Sequence, residues 1–588
     1  MKYQGRILTL AAGIAATVAL VAAQAPAPAD PVLQAMRDEI ARAKTLSIPN
    51  LDAPPYFVQY TIDQEENFSV SATLGGLVTR SRQQIRSPDV RIRVGSYKFD
   101  NTNFAGAGFG GGSRYDLERF PTENVYPLLR RYLWLETDSA YKAAVEALSR
   151  KRAAQHNTTQ SEQLDDFDPA PAVHYLRDIP KLTIDEDAWS KRVRDLSAVF
   201  QAYPELKTSG VSLESSAGGA YVANSEGTEI RYPEVVTNLH AEVWAQAPDG
   251  MNIRDAVDFR ALHLSQMPSD AEMTRAMNTL ATNVVALAHA PKGDDYTGPI
   301  LFEGQAGPQI FAEVLGRNLT ITRRPVTDGG RGGNIPPGEF EGKSGARIMP
   351  DSFTVVDDPT QKEWRGRPLF GSYDVDREGV AAVPLTLVDK GVLKNYLLTR
   401  QPVKGYNASN GRARLPGSFG ANEPTMSNLF VSTSDKTPVA DLKKKLIDLC
   451  AQRNKPYGII VRKMDFPSFA PLDEARRIVQ SAGGSGHFVS VPLLAYKVFP
   501  DGHEELIRGV RFRGFTGKSL RDILAAGDDS VTLEYMENGA PMGLSGRGFT
   551  AEVSVVAPSV IIDDLELHSV EEEMPKLPVV PPPDMTKH

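Results

Sequence analysis

From Pro31 onward, apolar and polar positions recur in two alternating periods, and the exchange between them gives the order of elements. In Pro31–Leu46, Val32, Met36, Ile40 and Ala43 fall on one face at helical spacing, which predicts a short amphipathic helix. From Tyr56 the period shortens to that of a strand: Phe57–Ile62, Ser69–Arg80 and Val90–Val94 alternate apolar with polar residues. Helical patterns return at Tyr132–Ala154, at Asp185–Tyr203 and at Ser269–Ala288, where Ser269 or Asp270 can cap the N-terminus. Between the last two, Gly210–Ala247 reads as a strand meander with Gly-Gly and Glu-Gly turns. The C-terminal half is richer in glycine and strand pattern. Its clearest helix starts at Thr437-Pro438, with Thr as cap and Val439, Leu442, Leu446 and Leu449 along one face. Strands and helices come in clumps rather than in regular alternation, so the class predicted is α+β.

A chain of 588 residues is too long for one core, so two domains are expected. Lys2 and Arg6 precede an uncharged apolar run from Ile7 to Ala23, and small residues at Val21, Ala22 and Ala23 offer a cleavage site. Residues 1–23 therefore read as a signal peptide and 24–30 as a Pro/Ala-rich spacer, followed by an N-terminal α+β domain over 31–290. A second domain spans 291–570, opened by a polar linker at Pro291–Gly298, and the Pro-rich tail over 571–588 stays extended. The signal peptide predicts a periplasmic or secreted protein with no membrane span after cleavage. The 65 Lys and Arg against 73 Asp and Glu give a net charge of −8, which argues against nucleic acid as the main partner. Cys450 is the sole cysteine, so no internal disulfide forms and no multi-cysteine zinc site is available. It continues the apolar stripe of its helix and is expected to be buried.

Candidate chemistry is thin. The nine histidines, at 156, 174, 240, 263, 289, 487, 503, 568 and 588, never stand at the short separations that put two ligands on one helix face. His503-Glu504-Glu505-Leu506-Ile507 begins like a zinc motif, but Ile507 fills the second His position and the segment reads as a hairpin following Pro500-Asp501-Gly502. Asp374-Val-Asp376-Arg-Glu378-Gly379 imitates the start of a calcium loop, yet Leu385 holds its twelfth position, so a solvated strand-turn segment is expected. Asp357-Asp358-Pro359 carries a turn signature. The glycine cluster Ala105–Ser113 lacks the Lys-Ser/Thr ending of a phosphate-binding loop, and no Gly-x-Ser-x-Gly elbow occurs.

Ordered blocks in the second half carry a resemblance. Tyr296–Leu315 (YTGPILFEGQAGPQIFAEVL), Gly345–Pro350, Val355–Thr360, Leu369–Gly379, Leu387–Lys394, Leu398–Val403, Ser409–Arg414 and Val556–Leu565 together resemble the TldD/PmbA family across most of 291–570. The resemblance implies a two-domain α+β protein with mixed and antiparallel sheets, packed helices and a strand-rich C-terminal domain. It also implies a homodimer, or a heterodimer of this chain with a TldD-type paralogue, acting on short or unfolded peptides. Active members carry a His-Glu-x-x-x-His signature, hold zinc with a further Cys, and use the Glu as general base on zinc-bound water. Laid on Phe302-Glu303-Gly304-Gln305-Ala306-Gly307, that signature keeps only Glu303, the family's general-base position and here a remnant. Phe302 and Gly307 offer no metal-binding atoms, Cys450 does not match the family's ligand, and no cofactor is expected. Three readings stay open: a zinc-less, PmbA-like non-catalytic subunit supporting peptide processing by a TldD-type partner; an active hydrolase with a re-invented site drawn from His240, His263, His289 and the 374–378 acids; and a periplasmic peptide-binding module without catalysis.

Overall fold

The structure, a computed structural model, describes residues 30–48, 54–105, 120–156, 164–327, 338–417, 420–465, 489–538 and 550–570. The signal segment, most of the glycine cluster, His487 and the Pro-rich tail lie outside the described residues. No helix among those described is long and apolar enough to cross a membrane.

Asp30 caps helix α1 (Pro31–Ala43) by accepting from Val32 N at 3.0 Å, and the predicted apolar face is buried. Strands β1 (Pro55–Thr73) and β2 (Gly76–Ser96) then form one long hairpin. The strand expected at Ser69–Arg80 is thereby corrected: the chain reverses at Leu74-Gly75-Gly76, where Leu74 and Gly75 take φ of 46° and 79°. Helix α2 (Tyr126–His156), helix α3 (Glu186–Ala198) and strands β3 (Thr208–Asn224), β4 (Glu229–Gln246) and β5 (Asn252–Ala261) follow, then helix α4 (Asp270–His289). Ser269 caps α4 in a reciprocal pair with Glu272.

The first sheet runs Phe99–Asp100, β2, β1, β3, β4, with β5 on the far edge of β4. Even-numbered residues of β1 (Val58, Tyr60, Ile62, Phe68, Val70) all turn to one face, where α1 and α2 cover one end and α3 and α4 the other. The opposite face is polar. At one end it docks on the second half of the chain, where Asp63 receives Arg377 at 2.7 Å and Gln59 donates to the Arg377 carbonyl.

The second half holds two sheets. One orders Val392–Leu393, β8 (Leu385–Asp389), β7 (Phe353–Asp357), β9 (Asn428–Thr433), β14 (Thr550–Ala557) and β13 (Val531–Asn538). The other orders β12 (Glu504–Ile507), β11 (Pro492–Val498), β10 (Gly458–Met464), β6 (Tyr296–Phe302), β15 (Val560–Ser569) and Val510–Arg513. Their inner faces enclose the main core, and the helical run Ala306–Leu319, opened by α5 (Ala306–Ile310), is buried within it. Helix α6 (Val439–Gln452) covers the outer face of β6 and β10 through Leu301, Leu442, Leu446, Cys450 and Ile460. Its expected Thr cap is replaced: Val439 N donates at 2.9 Å to the Asp528 carboxylate, supplied from a distant loop. The architecture is α+β.

Candidate functional site

Because β6 alternates, Phe302 and Leu301 face opposite sides of the sheet. Phe302 is fully buried in the main core, with its ring 5.7 Å from Phe512 and 5.6 Å from Phe515. Glu303 follows on the α6 side, where Arg462 Nε donates to its carboxylate. The same guanidinium grips Glu504 at 2.7 Å, and Lys443 of α6 donates to Glu504 at 2.7 Å. Glu303 is thus one corner of a half-exposed ion-pair quartet. Gly307 lies against Pro558, whose carbonyl oxygen would stand 3.0 Å from any Cβ added there, so the backbone is packed where the signature needs an imidazole. Cys450, held under α6 with its Sγ 3.8 Å from the Tyr296 hydroxyl, lies on the other side of the sheet from Phe302.

Further along the same segment sits a different glutamate. After α5 the helix widens to a π-type turn over Phe311–Leu315, and Glu313 lies in it fully enclosed. Its carboxylate accepts from Ser490 Oγ at 2.6 Å, from Ser490 N at 2.8 Å and from Gln309 Nε2 at 3.0 Å. Burial pushes the carboxyl up to about 7, against the opposing pull of Arg317 and these hydrogen bonds. Arg317, one turn on, pairs with Glu537 at 3.5 Å, and Tyr535 donates to Glu537 at 3.2 Å. Gly316 between them lies under the Met426 side chain, whose Sδ would stand 1.9 Å from a Cβ there and would have to move.

Glu313 was missed in the sequence, yet a signal was present. The His-Glu-x-x-x-His spacing also fits Ala312-Glu313-Val314-Leu315-Gly316-Arg317, again with the Glu kept. Glu303 precedes the helix, whereas Glu313 lies inside it, and the i→i+5 bonding of a π-type turn brings positions five apart onto one side. In this register too, neither flanking residue can ligate a metal: Ala312 has no donor atom and Arg317 is a permanent cation.

The other candidates disperse. Asp376 and Glu378 are buried, correcting the solvated strand-turn reading. Asp376 accepts from the backbone N–H of Glu378, Val380 and Ala413, and Glu378 accepts from Arg400 N and Asn422 Nδ2. They organise loops and leave no carboxylate fan for calcium. Asp357 is likewise enclosed, held by Arg412 at 2.5 Å and Ser427 Oγ at 2.7 Å. His263 and His289 are exposed and far apart in the fold, His289 pairing with Glu205 at 2.6 Å. His240 of β4 is the most structured: its Nδ1 is 3.0 Å from Asp258, its Nε2 3.6 Å from Glu242, and Ser212 stands opposite it on β3. Burial opposes a charge on this ring, but the two carboxylates prevail and raise it to about 9. An imidazole already protonated at neutral pH cannot take a proton from Ser212, so the row is no nucleophilic triad. Among the described residues, no three of His, Cys, Asp and Glu gather as a metal site.

Residues 297–464 match the profile of the PmbA/TldA metallopeptidase C-terminal domain, which spans β6, both glutamates and the anchoring acids. Over that segment the chain is similar to the TldD/PmbA family. It is 35% identical over 96 residues to a metalloprotease of Archaeoglobus fulgidus and 36% identical over 101 residues to one of Methanocaldococcus jannaschii. Each match covers 16% of this chain and only 20% of the relative's length. The fold agrees over a much longer stretch. TldE of Thermococcus kodakarensis superposes with a TM-score of 0.54 at 13% identity, covering 91% of this chain and 100% of that one. A Thermotoga maritima protein described as a modulator of DNA gyrase gives 0.52 at 13%, covering 87% and 96%. The chain shares the fold of these proteins and matches the metallopeptidase domain in its motif segment, but its residues do not fit a zinc ion in either register.

Proposed function

We propose that this protein is an exported, non-catalytic TldD/PmbA subunit that supports peptide processing by a TldD-type partner. The observation that carries this reading is the residue set around the retained glutamates. A catalytic zinc needs about three protein ligands and an open position. In one register the ligand positions hold Phe302, sunk in the core, and Gly307, pressed against Pro558; in the other they hold Ala312 and Arg317. A guanidinium buried next to Glu313 puts a fixed positive charge at that position and repels a second cation. Glu303 and Glu313 are both remnants under this reading, one tied to Arg462 and the other closed in by Ser490 and Gln309. Export rests on Lys2, Arg6 and the apolar run to Ala23.

The test is metal content of the purified mature chain by plasma mass spectrometry, beside a peptide-hydrolysis assay with and without chelator. The chain alone is expected to hold no stoichiometric zinc and to cleave nothing. Chelator-sensitive cleavage is expected only when a TldD-type paralogue is added. About one zinc per chain, with cleavage lost on chelation, would overturn the proposal.

A further inference from the structure

The polar face of the first sheet docks on the second half of the chain at one end and opens into a cavity at the other. This cavity, of about 680 Å³, lies where the β1–β2 turn, the run Phe200–Leu206 and the strands β3 and β4 meet. Its volume is in the range of ligand sites rather than packing gaps. The wall is mostly apolar, built by Leu74, Val78, Phe200, Tyr203 and Leu206. Leu74 and Val78 are 38% and 60% exposed, which is costly for a hairpin tip that meets only water. The floor is different: Ser71, Ser212, His240 and Glu242 lie side by side across three strands, joined by the backbone of Gly210.

The chemistry of the floor restricts the occupant. Between them the serine hydroxyls donate and accept, the protonated imidazole donates and the carboxylate accepts, as peptide N–H and C=O groups require. Glu242 at the floor, and Asp258 behind His240, offset the basic groups and disfavour a phosphate or carboxylate. An apolar wall above a charge-balanced polar floor suits a neutral, amphiphilic stretch of polypeptide. The place fits as well. Strand β5, beside β4, is tied to the second half by Lys463 on Asp255 at 2.7 Å and by Arg254 on Asp465. The carbonyl of Asp465 in turn accepts from Gln309, the residue that holds Glu313.

We infer that the cavity is a binding subsite for a bulky apolar side chain of an extended polypeptide lying across the open face of the sheet. The inference rests on the peptide-handling reading above and names what that reading's peptide must contain.

The test uses the full mature chain and two fluorescein-labelled unstructured peptides. One carries an adjacent Leu and Phe as its only bulky apolar residues, and the other has Ser at both positions. Fluorescence anisotropy is expected to show preferential binding of the Leu-Phe peptide. Gly210→Phe should weaken that binding by about tenfold or more and abolish the preference. A Cβ on Gly210 meets nothing within 4 Å, so the backbone there accepts a side chain, and Gly210 lines the cavity. Val78→Glu, at an exposed position, is the second variant and should act in the same direction. Both should melt with the wild type. If both variants bind the Leu-Phe peptide as the wild type does, the subsite is wrong while peptide handling stands. If the wild type binds neither peptide, the peptide-handling reading itself fails and takes the subsite with it.

Discussion

A buried carboxyl that holds its proton up to neutrality makes folding sensitive to pH through a single residue. Glu313 is raised from an ordinary 4.5 to about 7, so across that window the folded chain keeps a proton that the unfolded chain has released. Its contribution is favourable at the acid end and is lost as pH rises through the folded value. Glu313→Gln keeps the shape and an acceptor for Ser490 N, and removes the titration. The variant should therefore melt above the wild type at about pH 8, with the gap closing towards about pH 5. Parallel melting curves for the two proteins across that range would show that Glu313 does not titrate there. The residue scale is also where the sequence was hardest to read. Glu303 and Glu313 have the same neighbours in motif terms, and only the helix boundary at Ala306 and the enclosure of Phe311–Leu315 tell them apart. Burial of that kind is set by strands lying a hundred or more residues away, such as the one that brings Ser490.

Elements were legible where one period holds from end to end. Helices α1, α4 and α6 follow from their apolar spacing, and the capping pair Ser269–Glu272 follows from residue type alone. The reading failed where period and direction part. Apolar residues continue on both sides of Gly75-Gly76, and a reading as one continuous strand passes over the reversal that this Gly-Gly pair signals. It failed again at the acids of the 357–378 segment, whose charge suggested water. Their partners are backbone N–H groups and guanidinium groups delivered by other elements. Asp357 shows how much rests on such an anchor: it joins the end of β7 to Arg412 and to Ser427 before β9, and both it and Arg412 are fully buried. Asp357→Ala leaves that guanidinium without its carboxylate and should cost about 3–5 kcal/mol in denaturant unfolding. A loss below about 1 kcal/mol would mean that the anchor is redundant.

At the scale of the whole molecule, the two halves are joined by inserted side chains as well as by the docked sheet face. Arg400, from the second half, is fully buried at the boundary with the first. It donates to the Asp168 carbonyl at 2.8 Å and to Glu226 at 2.7 Å, and lies 4.1 Å from the Phe167 ring centroid and 5.4 Å from that of Phe57. Arg377 on Asp63 and Lys463 on Asp255 add further ties along the same boundary. Arg400→Leu should lower the melting midpoint and open a new protease-sensitive site between the halves; an unchanged midpoint and digestion pattern would show that the sheet face alone holds them. The placement of Arg400 also bears on how the chain is made. Its bond to Asp168 spans 232 residues, so on a ribosome adding roughly 5–20 residues per second Asp168 waits about twelve to forty-six seconds for this side chain. During that interval the Phe57 ring lacks the Arg400 guanidinium, Phe167 keeps only Arg93 at 3.8 Å, and Glu226 holds the Tyr97 hydroxyl without its cation. The nascent first half is thus left without this tie until the second is synthesised.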